Sequence, residues 1–177
     1  MPPTNTPTAT ATSTPTSTPT PTPLPNLIAN GGFETDSNND TRPDSWTSSS
    51  LFTRSTVAIR SGSYAGRHRS TSNSSYSITQ TVSGISAGQS YTVNAWTNIP
   101  ATSDAFTYRV QVRWRNGLGV TLRTDTVRTY TAATSGWNQA SATLMAPTGA
   151  TQAQIIMSVS SLNATIYVDD VSLQRIQ

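Results

Sequence analysis

The sequence has no cysteine and no lysine, a single histidine, and no run of 18 or more apolar residues. The missing cysteine excludes a disulfide scaffold and any thiolate-bound zinc or iron–sulfur centre. One histidine excludes a histidine-rich metal centre. The missing apolar run excludes a membrane-spanning helix. Charge is scarce as well: 11 Arg and 8 Asp plus Glu give a net charge of +3 over 177 residues. The arginines are dispersed and form no basic block, so the charge argues only weakly for a nucleic-acid partner. No Walker loop or dinucleotide fingerprint is present.

Residues 1–25 contain 8 of the 11 prolines, 10 threonines and no charge. Such a segment buries too little apolar surface to offset its ordering entropy. Its prolines favour an extended, semi-rigid spacer, and its Thr hydroxyls are O-glycosylation acceptors of the kind found in Ser/Thr/Pro stalks. The segment reads as a disordered linker to a covalently attached domain on its N-terminal side. No charged n-region and apolar h-region follow Met1. The expectation is therefore a piece of a larger exported protein, secreted or displayed at a cell surface.

Residues 26–177 read as one domain. Tyr91–Trp96 alternates apolar and polar residues. In the segment 106–115, Phe106, Tyr108, Val110, Val112 and Trp114 share one face, and Arg109, Gln111, Arg113 and Arg115 share the other. Further strands are expected over 76–82, 119–126, 138–145, 151–159 and 165–173, separated by turns such as Ser83-Gly84, Asn116-Gly117 and Pro147-Thr148-Gly149. A period of two, β-branched and aromatic residues, and no persistent 3.6-residue stripe predict eight or nine strands in an all-β antiparallel sandwich or jelly roll.

An ordered set of segments spans the same region: Asn30-Gly31-Gly32-Phe33-Glu34, Pro43-Asp44-Ser45-Trp46, Ala87-Gly88-Gln89-Ser90-Tyr91, Gly136-Trp137 and Tyr167-Val168-Asp169-Asp170-Val171. In this order and spacing they resemble carbohydrate-binding module family 4/9 and its relatives in families 16 and 22. The resemblance implies a galactose-binding-like jelly roll with a structural Ca²⁺ and a sugar site on the concave sheet or loop rim, on a protein that binds a polysaccharide or glycan; a monomer is expected. It also implies that Glu34 and Asp169 hold the Ca²⁺ between the first and last strands, with backbone carbonyls completing the shell. Strand alternation predicts that Asp169 and Asp170 face opposite ways, leaving one of them as a ligand. The alternative is that both are solvated at a strand edge.

A second acidic run supplies Asp36, Asn38, Asp40 and Asp44 at positions 1, 3, 5 and 9 of an EF-type loop. Thr41 stands where such loops place Gly, and Thr47 stands where they place a bidentate Glu. The competing reading is an Asn/Asp turn.

A pyranose presents an apolar C–H face and a rim of hydroxyls, so binding it calls for an outward aromatic flanked by bidentate hydrogen-bonders. Trp46, Trp114 and Trp137 read as core. Trp96 falls with Thr92 and Asn94 on the polar face of its strand and is the candidate platform, with Asn94, Gln111, Arg113 and Arg109 as partners. Tyr64 and His68, in a Gly/Ser-rich stretch, are candidate rim residues, and Tyr76 and Gln80 read as structural. The alternative is a calcium-stabilised adhesion module with no sugar site.

Gly84-Ile85-Ser86-Ala87-Gly88 matches the nucleophile-elbow pattern but joins two β segments, and no His follows it. Glu34 is the sole Glu, a poor basis for paired-carboxylate glycosidase chemistry. The expectation is a non-catalytic protein.

Overall fold

A computed structural model describes Met1 and residues 24–176. The Thr/Pro-rich linker lies, apart from its ends, outside the described residues. Nine strands form: β1 (Phe52–Ser55), β2 (Ala65–Arg69), β3 (Ser74–Ser83), β4 (Ser90–Asn98), β5 (Thr107–Arg115), β6 (Thr121–Tyr130), β7 (Asn138–Met145), β8 (Gln152–Leu162) and β9 (Thr165–Arg175). They make two antiparallel sheets, a five-stranded one in the order β1-β2-β9-β4-β7 and a four-stranded one in the order β3-β8-β5-β6. No described residue is helical. This is the β-sandwich that the alternating pattern predicts.

The inward face of each strand makes the core. Tyr91, Val93 and Ala95 of β4 meet Tyr108, Val110, Val112 and Trp114 of β5, all essentially without solvent contact. Trp114 packs against Tyr91 with ring centroids 5.8 Å apart, and its Nε1 donates to Asp125 Oδ2 at 2.6 Å. A buried indole N–H needs such a partner. Trp46 packs on Phe33 at 5.5 Å and donates to the Asn30 carbonyl. Trp137, expected in the core, is half-exposed. It stands in the connection before β7.

Two strands have no counterpart in the expected set. β2 reads Ala-Gly-Arg-His-Arg, and its inward positions are Gly66 and His68. A glycine and a histidine give no apolar alternation, so the sequence reads as a loop. Gly66 is required because a β-carbon there would lie 2.6 Å from Phe52 Cζ. β1 is a four-residue strand whose only partner is β2.

The segment 26–31 continues the five-stranded sheet where β2 ends. Leu27 N–H donates to the Leu173 carbonyl at 2.9 Å, and Val171 N–H donates to the Gly31 carbonyl at 2.9 Å. Gln80, buried on β3, ties this segment to the opposite sheet. It accepts from Ala29 N–H and donates to the Ala29 carbonyl, each at 2.8 Å. Those two bonds give Gln80 the structural role expected of it.

Candidate functional site: a tryptophan groove on the five-stranded sheet

Trp96 points outward from β4 and is half-buried. It lines an open groove of about 330 Å³, with Asn94 on the same strand, Gln139 on β7, Asp170 and Ser172 on β9, and Asn26 on the preceding segment. Asn94, Trp96, Gln139 and Ser172 come from paired register positions. Asn94 lies opposite Ser141 and Ser172, and Trp96 lies opposite Gln139 and Asp169. Gln139 Nε2 donates to Asn94 Oδ1 at 3.0 Å, which fixes both amides. The groove therefore places an indole beside three carboxamides, a hydroxyl and a carboxylate. The Arg60 guanidinium lies over the indole, 3.8 Å from the ring centroid.

Arg60 is held there by a break in β9. The β4–β9 register shifts between Asn94 and Trp96, and Asp170 takes φ 49°, the left-handed region that Asp tolerates better than most residues. This bulge cancels the expected alternation: Asp169 and Asp170 face the same way. Asp169 Oδ2 accepts from Arg60 N–H at 2.9 Å and Ser61 N–H at 3.2 Å. Asp170 pairs with the Arg60 guanidinium and accepts from Ser61 Oγ at 2.6 Å. Two adjacent acids thus hold one loop, one through its backbone and the other through its side chains.

Asp169 is fully buried and has no cationic partner among the described residues. Burial raises its pKa, partly offset by the amide hydrogen bonds and reinforced by the Asp170 charge. Glu34 also has no cationic partner; it accepts from Ser63 N–H at 3.0 Å and Tyr64 N–H at 3.1 Å. Gly62 takes φ +67°, and a β-carbon there would collide with the Glu34 carboxylate. Asp169 Oδ1 and Glu34 Oε1 both lie within 4 Å of the point a Gly32 β-carbon would occupy. Two uncompensated carboxylates converging on a glycine gap fit a hard cation. Among the described residues no three His, Cys, Asp or Glu side chains converge, so backbone carbonyls would have to complete any such shell.

Among the described residues, the EF-type positions do not bring three carboxylates together. Their oxygens accept from the loop's own amides instead: Asp36 from Asp40 N–H and Thr41 N–H, Asn38 from Asp40 N–H, and Asp44 from Ser37 N–H. Asp36 also faces Arg54 at 3.4 Å. These are the hydrogen bonds of an Asn/Asp turn, with Thr41 itself adopting the left-handed conformation at φ 69°.

Five other expected partners lie elsewhere. His68 is buried completely in the core, against Phe52 at 4.5 Å and Tyr108 at 5.5 Å, with Nδ1 3.1 Å from the Tyr76 hydroxyl. It sits inward on a strand and cannot touch a ligand at the rim; burial lowers its pKa to about 3. Tyr64 is half-buried under the Arg54 guanidinium, which lies 3.7 Å from its ring centroid, in a separate depression with Asp36 and Asn39. Arg109, Gln111 and Arg113 point outward from β5 in the four-stranded sheet. Trp96 points outward from the other sheet, so the single site expected to combine them is two surfaces on opposite sides of the sandwich.

Arg60, Asp170, Gln139, Ser172 and Asn26 enter the groove unannounced by the sequence. The strand pairings bring them together, and only the alternation around Asn94 hinted at an outward polar face there.

No protein-family model matches the sequence, and no curated protein matches it. Solved structures do resemble it. The enzymatically active domain of tailspike protein 4 of bacteriophage CBA120 is 20% identical at a TM-score of 0.65, with 85% of this chain and 21% of that chain covered. This chain therefore corresponds to about a fifth of the tailspike domain. A xylan-binding domain of family 22, formerly the x6b domain, is 15% identical at a TM-score of 0.61, covering 85% of this chain and 95% of that one. A family 61 module in complex with β-1,4-galactotriose is 18% identical at a TM-score of 0.59, covering 86% and 99%. A family 16 module is similar in the same way. The chain thus shares the two-sheet fold of carbohydrate-binding modules nearly end to end, and at these identities the likeness speaks to the fold.

Proposed function

We propose that this chain is a non-catalytic module of a secreted or cell-surface protein, holding a polysaccharide or glycan in the Trp96 groove. One observation carries the reading: a half-exposed indole on a sheet face, flanked by the carboxamides of Asn26, Asn94 and Gln139. An indole offers a flat apolar surface to the C–H face of a pyranose, and carboxamides donate to and accept from its hydroxyls. The modules that share the fold include one described as xylan-binding and one bound to a galactotriose. That likeness supports the carbohydrate class without naming the sugar.

Arg60 must share the indole with the ligand or yield it. A cation–π contact at an exposed position and a surface ion pair together amount to roughly 1–2 kcal/mol, so displacement is inexpensive. A Ca²⁺ held by Glu34, Asp169 and neighbouring carbonyls would join the segment after residue 26 to β9 and stabilise the wall of the groove. The Thr/Pro segment would act as a spacer, keeping an attached domain at high effective concentration near the glycan.

Arg60 over Trp96 is also what a purely structural, calcium-stabilised adhesion module would show. Titration calorimetry against xylan, β-1,4-galactan and β-glucan separates the two. The groove reading expects binding to at least one and a loss of tenfold or more in Trp96→Ala. Binding to none, with Trp96→Ala merely lowering stability, supports the structural reading.

A further inference from the structure

Two Asn-Gly dipeptides occur in the chain, Asn30-Gly31 and Asn116-Gly117, and the fold treats them oppositely. In such a dipeptide the backbone nitrogen of the second residue can attack the side-chain carbonyl carbon of the first. A glycine in second place has no β-carbon to obstruct the approach. The reaction is intramolecular, so the local geometry of the folded chain sets its rate.

Asn30 is locked. Its Nδ2 donates to the carbonyls of Thr35 and Asp44, each at 2.9 Å, and its Oδ1 accepts from Thr35 N–H at 3.0 Å. Gly31 is buried, and a β-carbon there would collide with the Val171 carbonyl. Its own carbonyl accepts from Val171 N–H at 2.9 Å. The amide nitrogen that would have to leave is held, and the backbone has no room to close a ring.

Asn116 is arranged the other way. It opens the turn between β5 and β6, where Gly119 N–H donates to the Asn116 carbonyl at 2.9 Å and Asn116 N–H donates to the Val120 carbonyl at 3.0 Å. Its Oδ1 accepts from two backbone amides, Leu118 N–H at 3.0 Å and Val120 N–H at 2.9 Å. Those donors withdraw charge from Cγ and stand where an oxyanion would develop on attack. Gly117 is exposed, and neither its N–H nor Asn116 Nδ2 donates to any described residue. Nucleophile and leaving group are both free, while the carbonyl between them is polarised.

We propose that Asn116-Gly117 is a self-modifying site, which converts to aspartyl and isoaspartyl forms in the native protein with water as the co-reactant. The Gly117 nitrogen bonds to Asn116 Cγ and gives up its proton to solvent. The Cγ–Nδ2 bond breaks and Nδ2 leaves as ammonia, which closes a succinimide. Water then opens the ring. Cleavage of the new bond to Cγ gives aspartate in the normal chain. Cleavage of the original peptide bond gives isoaspartate, with the main chain rerouted through the side chain. The net exchange is an amide for a carboxylate, with no oxidation or reduction. Either product sets a negative charge on an otherwise neutral turn, and the isoaspartyl form lengthens a turn that the β5–β6 pairing holds to length.

The test is incubation of the full chain at mildly alkaline pH, native and in urea, followed by peptide mapping with mass spectrometry and chromatographic separation of the two aspartyl isomers. In the native chain Asn116 should lose its amide at least about tenfold faster than Asn30, and in urea the two rates should converge. Gly117→Ala should slow the loss at Asn116 at least about tenfold with the melting temperature unchanged. Gly117 does not use the left-handed region, and its added β-carbon would meet only Thr151 Oγ1, at 3.7 Å. The proposal is overturned if native Asn116 keeps its amide as long as Asn30 does, or if folding slows Asn116 tenfold relative to urea. It is equally overturned if Gly117→Ala reacts at the wild-type rate, or if aspartate forms with no isoaspartate, which would mean direct hydrolysis without the ring.

Discussion

His68, the chain's one histidine, gives the fold a specific sensitivity to acid. It sits fully buried between Phe52, Tyr76 and Tyr108, its Nε2 has no hydrogen-bond partner, and no carboxylate faces it. A buried imidazolium has lost its hydration with nothing to replace it, so burial lowers the pKa from 6.5 to about 3. The group's folded value lies below its unfolded one. Its contribution to stability is therefore complete above pH 6.5 and is lost as pH falls towards 3, because the unfolded chain takes up a proton that the native state refuses. At 1.36 kcal/mol per pH unit, the loss between pH 7.5 and pH 5.0 is about 2 kcal/mol. That is a shift of about 1 M in a urea midpoint. Asp169 acts with the opposite sign, since its raised pKa favours the fold as pH falls. Urea unfolding of the wild type and of His68→Phe at both pH values cancels that and every other shared term. The variant's pH dependence should be flatter by about 2 kcal/mol. A histidine NMR signal that titrates near pH 6.5 in the folded protein, or equal pH dependence in the two proteins, refutes the reasoning.

Three further outcomes follow from particular contacts. Thr41 is exposed at φ 69°, and its loop bonds use only its backbone. Thr41→Gly should therefore stabilise the fold by about 0.5–1 kcal/mol in chemical denaturation; a loss would show that the turn is not left-handed. Gln80→Leu strands both the N–H and the carbonyl of Ala29 and should cost about 2–3 kcal/mol, whereas a cost under about 0.5 would mean the clamp is not formed. If Ca²⁺ joins Glu34 to Asp169, EDTA should lower the melting temperature by roughly 5–10 °C in the wild type and not in Asp169→Asn. An unchanged melting temperature in the wild type contradicts that site.

Most of the sandwich was legible because alternation is a local signal. In β4 and β5, faces and core follow from a period of two, and Trp96 stands outward as the pattern dictates. The misses have physical causes. β2 buries a glycine and a histidine where a strand normally offers β-branched residues, so His68 read as polar surface. The bulge at Asp170 is a tertiary event with no pattern of its own, and it turned two acids expected on opposite faces onto one loop. Sheet membership is likewise non-local. Sequence-adjacent β4 and β5 look like a hairpin but belong to different sheets, which divided Trp96 and Asn94 from Arg109, Gln111 and Arg113. Arg60 lies 36 residues from Trp96 and reaches it only through the acids of β9.

The most direct test of the groove is the fluorescence and calorimetric response of the wild type beside Trp96→Ala across neutral plant and microbial polysaccharides. Saturable binding with a shifted indole emission, reduced tenfold or more by the substitution while the fold is retained, is the predicted result. A chain that binds none of them, or binds them equally without the Trp96 indole, contradicts the account.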